Sequence, residues 1–193
     1  MNLSSYEKLS DDELMALCRK GNTDAFTALY DRHKQAVINY SARMLRDKDL
    51  AADVLQETFI YIFRTIQAYQ PKSRFKALLF KAAHNITITK LRKIRNLDFV
   101  ELNENLVPCA PEVSLLEKSE TIEFFRKNIY TALDEMPEFY REIILLRYEK
   151  DLSYEDMGEI LGCPVGTIKS RLHNAMESLR QLLKKSVNEE LMP

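Results

Sequence analysis

The chain has no tryptophan, and only four glycines and six prolines in 193 residues. All-β sandwiches and barrels need many tight turns, so this scarcity argues for helices. Its three cysteines, Cys18, Cys109 and Cys163, are odd in number and far apart. They exclude a disulfide framework and a CxxC metal site, and they fit a reducing compartment. No apolar run approaches the roughly 18 residues of a membrane span; the longest are short stretches such as 59–63 and 143–146. The N-terminal MNLSSYEKLSDDELM lacks a basic segment followed by an apolar one, so no secretory signal is expected and the cytoplasm is the expected location. Enzyme signatures are missing too. His33, His84 and His173 form no HExxH, the glycines form no phosphate loop, and no Ser or Cys nucleophile motif is present. No catalytic residue, bound metal, cofactor or small-molecule substrate is expected.

What is present is a segregated charge. The 28 Lys+Arg nearly cancel 29 Asp+Glu, and 46% hydrophobic residues suffice for packed cores. Between Pro71 and Leu97, however, stand Lys72, Arg74, Lys76, Lys81, Lys90, Arg92, Lys93 and Arg95 with no acid at all. From Asp98 to Glu123 the sign reverses, with Lys118 alone against seven acids. From Val165 to Lys185 it turns basic again. A polyanion senses charge within a Debye length of roughly 8–10 Å, so local sign matters more than the sum. Two basic segments separated by an acidic connector suggest two nucleic-acid contacts.

Ser10 with Glu13 forms a capping box that opens a short helix stopped near Gly21. A longer helix follows from about Thr23, with Phe26, Leu29, Tyr30, His33, Val37, Tyr40 and Met44 on one stripe. His33 on that stripe reads as a packed core residue. Asp47 or Asp49 caps a third helix whose inward face carries Leu55, Phe59, Ile62 and Ile66. Its other face carries Asp53, Gln56, Glu57 and Ile60, where an isoleucine among polar groups suggests a partner contact. Gln70-Pro71-Lys72-Ser73 breaks the helix, and a basic fourth helix runs from about Arg74 to Arg95 with Phe75, Leu78, Leu79, Ala82, Ile86 and Leu91 inward. Residues 96–118 hold Pro108 and Pro111 without sustained periodicity and read as a flexible linker. Fully extended it spans at most about 70–80 Å, about two turns of duplex.

The C-terminal part reads as helices over Thr121–Leu133 and Phe139–Tyr148, then a pair over Ser153–Leu161 and Pro164–Lys185. Ser153 is a good N-cap, Gly162 suits the left-handed end of a helix, Cys163 completes the turn, and Pro164 suits the first position of the next helix. A short helix, a three-residue turn and a longer basic helix give the helix-turn-helix order. With Ile168, Leu172, Ala175 and Leu179 inward, Thr167, Lys169, Ser170, Arg171, His173 and Asn174 face outward near the end that enters a major groove. Lys can bond guanine, Asn adenine and Ser either; Thr167 or Arg171 could instead hold phosphate.

The segments Leu133-x-x-Met-Pro137-Glu138-x-x-Arg141-Glu142-x-x-Leu145-Leu146-Arg147-Tyr148, Leu152-Ser153-Tyr154-Glu155 and Gly162 to Leu172 resemble region 4 of extracytoplasmic-function (ECF) sigma factors of the sigma-70 family. Ala52-Asp53-Val54-Leu55-Gln56-Glu57-Thr58-Phe59 resembles the family's region 2 helix. Phe75 to Leu79 and Ala83-His84-Asn85 resemble its promoter-melting segment. The resemblance implies an all-α chain of two small helical domains: region 2 over 1–95, an acidic linker over 96–118, and region 4 over 119–193. It implies a non-catalytic subunit whose partners are core RNA polymerase, promoter DNA and an anti-sigma factor, the last commonly membrane-bound. Asp53, Gln56 and Glu57, with Ile60 added from the face above, would dock on the polymerase. Tyr69, Lys72, Arg74, Phe75, Lys76, Asn85 and Arg92 would bind and open the −10 element, where cations and a platform for an unstacked base are needed. The six outward residues of the second helix of the pair would read the −35 element. Leu78 stands where the family has Trp, Thr89 where an acid follows Asn85, Gly158 where Ala precedes the turn, and Asn174 where Arg is common. The first three bear on packing and Asn174 on sequence preference.

Three other readings compete. A free-standing regulator would share the helix-turn-helix but leave Asp53, Gln56, Glu57 and the basic helix unexplained. A helical enzyme would need a catalytic constellation that the sequence does not offer. An adaptor would bind a protein through the acidic linker. Association with core polymerase separates them.

Overall fold

The structure, a computed structural model, describes residues 6–69, 74–98, 120–149 and 151–191, and its regular elements are all helical. They are α1 (Asp11–Arg19), α2 (Thr23–Leu45), α3 (Lys48–Thr65) with a 3-10 turn at Ile66–Ala68, α4 (Phe75–Asp98), α5 (Glu120–Glu135), α6 (Glu138–Ile144) with a π-helical turn at Leu145–Glu149, α7 (Tyr154–Leu161) and α8 (Val165–Leu191). Two compact units result, the first built from α1–α4 and the second from α5, α6, α8 and most of α7.

In the first unit the caps expected at Ser10 and Asp47 form, and Asn22, not singled out above, supplies a third. Ser10 Oγ accepts from Glu13 N, and the Glu13 carboxylate accepts from Ser10 N at 2.7 Å, closing the capping box. The Asn22 side chain accepts from Ala25 N at 3.0 Å. Asp47, rather than Asp49, caps α3, its Oδ1 accepting from Asp49 N and Leu50 N at 2.8 and 2.9 Å.

α1, α3 and α4 all pack on α2. Leu29, His33, Val37, Tyr40 and Met44 are buried there as the stripe predicts, while Phe26 and Tyr30 are half-buried. Their rings meet Phe59 of α3 edge-on at 6.0 and 4.9 Å. On α4, Phe75, Leu79 and Ala82 are buried as expected, but Ala77, Phe80, Ala83 and Thr87 are buried too, whereas Leu78, Ile86 and Leu91 are half-buried. The reason is that α4 packs on both α2 and α3, so its apolar arc is wider than one stripe. α4 also runs to Asp98, and the expected linker positions 99–118 lie outside the described residues.

His33 is a core residue at 5% exposure, its ring 5.2 Å from that of Phe75. Its Nε2 lies 2.9 Å from Asp11 Oδ2, and Arg32 donates to Asp11 Oδ1 at 2.7 Å. An ionised carboxylate can only accept, so His33 Nε2 carries the hydrogen. Burial alone would raise the Asp11 carboxyl; the hydrogen bonds and charges of His33 and then Arg32 outweigh it and hold the carboxyl below its usual 3.8.

In the second unit α5 and α6 pack on α8. Arg141, 5% exposed, donates from Nε to Leu133 O at 2.8 Å and from Nη2 to Asp134 O and Met136 O, both at 3.0 Å. Its planar fork caps carbonyls at the C-terminal end of α5, which have no partner within the helix. The expected helix over Phe139–Tyr148 is shorter: α6 ends at Ile144 and the chain widens into the π-helical turn. The four residues from Ile143 to Leu146 are all buried in succession there.

A depressed carboxyl contributes stability above its unfolded value that is lost as pH falls through the folded one. Asp11→Asn should therefore destabilise the first unit by about 1–3 kcal/mol at neutral pH. In urea titrations the gap between variant and wild type should close as the pH drops below about 4. An equal gap at pH 7 and pH 3 would contradict the assignment.

Candidate nucleic-acid interfaces and docking face

The helix-turn-helix is built from its caps inward. Ser153 Oγ accepts from Asp156 N at 3.0 Å and donates to Asp156 Oδ2 at 2.8 Å, opening α7. Gly162 ends it in the left-handed region at φ +63°, and Cys163 N bonds Gly158 O at 3.0 Å. Pro164 falls one residue earlier than expected, at the cap: its carbonyl accepts from Ile168 N at 3.1 Å and α8 starts at Val165. Gly158 has its own reason. A Cβ there would lie 2.9 Å from the Cys163 carbonyl oxygen, a distance the turn cannot accommodate unchanged.

Ile168, Leu172, Ala175 and Leu179 of α8 are buried, as the sequence predicts. Lys169, Ser170, Arg171, His173 and Asn174 are exposed and Thr167 is half-buried, so all six lie on one outward face. At about 100° per residue, Ser170, His173 and Asn174 fall near its centre, with Lys169 and Arg171 at opposite edges. The Lys169 ammonium sits 5.5 Å from the centre of the Tyr154 ring, which the Arg147 guanidinium approaches to 5.1 Å. Arg171 Nη1 lies 3.7 Å from Cys163 Sγ.

On α3, Asp53, Gln56, Glu57 and Ile60 are all exposed, Ile60 to 49%. Sequence reasoning missed Phe63, seven residues from Gln56 and therefore on the same side. It is 62% exposed and meets Phe26 edge-on at 5.5 Å, so the polar end of the face continues into an apolar one. Lys90 of α4 joins Asp53 and Glu57, its Nζ 3.4 Å from Asp53 Oδ2 and 2.9 Å from Glu57 Oε1. Burial acts to lower the Lys90 ammonium; Glu57 and then Asp53 outweigh it and hold it above its ordinary value.

The expected melting set is partly separated. Tyr69 (9% exposed) and Phe75 (1%) are inside, packed edge to face 6.4 Å apart, so neither ring offers a platform for a base as expected. Tyr69 donates to Asp12 Oδ1 at 2.5 Å, and burial followed by that carboxylate pushes its phenol well up. The apolar arc of α4 claims both rings, which corrects the aromatic part of the reading. Lys72 lies outside the described residues. Arg74 is half-buried at the head of α4, and Lys76 is exposed half a turn away from Asn85. Asn85 and Arg92 are exposed and share a face at i, i+7, joined by the exposed Lys81 at i−4, which the same spacing could have singled out.

An all-helical chain with one helix-turn-helix and one helix bundle carrying separate acidic and basic faces is the class this architecture defines. The family model described as Sigma-70 region 2 matches residues 29–96, and that described as Sigma-70, region 4 matches residues 126–179. The ECF RNA polymerase sigma factor SigW of Bacillus subtilis (strain 168) is 31% identical over 86% of this chain and 92% of its own. The RNA polymerase sigma factor CarQ of Myxococcus xanthus is 32% identical over the same shares, 86% and 92%. Among solved structures, the sigma factor RpoE in complex with the anti-sigma factor NepR from Bartonella quintana superposes with a TM-score of 0.62 at 26% identity, covering 77% of this chain and 90% of that one. The chain belongs to the ECF sigma factors of the sigma-70 family.

Alanine is favoured over glycine inside a helix by about 1 kcal/mol. Gly158→Ala should nevertheless fail to stabilise the second unit, and Gly158→Val should lower its melting temperature, because the added carbon meets backbone. A melting temperature raised by Gly158→Ala would show that the turn yields at no cost.

Proposed function

We propose that this chain docks on core RNA polymerase through Asp53, Gln56, Glu57, Ile60 and Phe63, and directs initiation by reading a −35 element with α8 and opening a −10 element along α4. It acts in the cytoplasm as a dissociable, non-catalytic subunit. The division of labour follows the expected limits: region 2 over 1–95, an acidic linker over 96–118 and region 4 over 119–193. What carries the reading is the coexistence, in the four-helix unit, of an exposed acidic-to-apolar face on α3 and an outward row of Lys81, Asn85 and Arg92 on α4. A free-standing regulator has no use for the first, and an adaptor has none for the second.

The −10 contact falls to Lys81, Asn85 and Arg92, with Arg74 and Lys76 nearer the head of the helix and Lys72 just before it. Cations along a helix can track a single strand, and Asn85 can bond the exposed edge of an unpaired base. Tyr69 and Phe75 support this surface from beneath. In the −35 contact, Ser170, His173 and Asn174 are placed for base edges, while Thr167, Lys169 and Arg171 flank them toward the phosphates. An anti-sigma factor is the expected inhibitory partner, since RpoE is found in complex with one.

Two experiments test the assignment. Glu57→Lys should abolish co-elution of the purified chain with sigma-free core polymerase while leaving its melting temperature unchanged; retained co-elution would remove Glu57 from the docking face. Asn174→Ala should relax base preference at one −35 position at a cost of about 1–3 kcal/mol, whereas Arg171→Ala should weaken all sequences alike and reduce the salt dependence. Unaltered promoter preference in Asn174→Ala would count against base readout there.

A further inference from the structure

Asp53 and Glu57 lie one helical turn apart on α3, and their side chains are 57% and 53% exposed. Two carboxylates at this spacing repel, and free in water each would sample several rotamers. Neither is left free. Lys90 crosses from α4 with its side chain only 16% exposed and its ammonium 2.9 Å from Glu57 Oε1 and 3.4 Å from Asp53 Oδ2. The α4 cations Lys81, Arg92 and Lys93 are by contrast exposed. Lys90 is therefore a cation of this helix that is turned away from solvent and committed to the neighbouring helix.

We propose that Lys90 is a positioning residue for polymerase docking: it holds the two exposed carboxylates Asp53 and Glu57 in one arrangement before the partner's cations arrive. The inference rests on the docking face proposed above and adds a residue to it from the helix that carries the DNA-facing row. Two effects compete. Preorganisation removes the ordering cost of two long side chains, a factor of about 2–10 in affinity for each. Against it, the Lys90 charge repels incoming cations, a weaker effect where solvent screens the pair. The first prevails.

The test is the affinity of the full-length chain for sigma-free core polymerase, measured by titration with a fluorescent label, with melting temperatures recorded alongside. Lys90→Met keeps an apolar stem of similar reach. It should weaken core binding by about 5-fold or more, and Lys90→Arg should restore most of the loss. In an Asp53→Asn/Glu57→Gln background, Lys90→Met should change nothing, because the groups it positions are gone. Unchanged or tighter binding of Lys90→Met would overturn the proposal. So would an equal loss in the Asp53→Asn/Glu57→Gln background, which would mark Lys90 as merely structural. Glu57→Lys distinguishes the two levels: if it binds core normally, the docking face itself fails and the proposal with it. If it loses binding while Lys90→Met does not, only the role of Lys90 fails.

Discussion

Burial of the α2 stripe is the constraint on which the first unit depends. Leu29, Val37 and Tyr40 are completely covered, and two of the helices that cover them, α3 and α4, carry most of the candidate functional groups of that unit. Each covering helix satisfies the stripe with one side and has the other left for partners. For α3 that leaves the face from Asp53 to Phe63, and for α4 the row of Lys81, Asn85 and Arg92. The proposed docking and DNA-facing surfaces are thus the remainders of one packing solution, set at fixed positions by a shared core. Precision of this kind is what a site on helices gains over a site on loops.

Electrostatics follows the same logic. A net charge of −1 says little, because α4 carries cations and no acid from Phe75 to Leu97. Where the two signs meet they pair: Lys90 lies between Asp53 and Glu57, and Arg32 and His33 lie around Asp11. In the second unit a different cation does structural work, Arg141 closing the end of α5 through three carbonyls. That explains in physical terms why the Pro137-Glu138-x-x-Arg141 spacing is informative: it couples the end of one helix to the start of the next.

Much of this was legible in the residues. Caps at Ser10, Asp47 and Ser153 are local chemistry, and so is the left-handed Gly162; each depends on neighbours within a few positions. The outward face of α8 was equally readable, since one apolar stripe defines its complement. What escaped depended on tertiary packing. The arc of α4 is widened by a second neighbour, which buries Ala77, Phe80, Ala83 and Thr87, and the Tyr69 ring is turned inward by the Phe75 ring and the Asp12 carboxylate of α1. Lys90 looks like any other cation of a basic helix until α3 is beside it, 37 residues away in sequence from Asp53. The clash reserved for a side chain at Gly158 needs the folded turn to be visible at all.

One chain of two helical units confers promoter selectivity on a polymerase that lacks it. The most direct measurement is to transcribe bacterial genomic DNA with sigma-free core polymerase, with and without the purified chain, and to sequence the 5′ ends of the RNA. The expected result is a new set of start sites preceded by two shared sequence blocks at constant spacing, near −35 and −10. Start sites indistinguishable from those of core alone would contradict it.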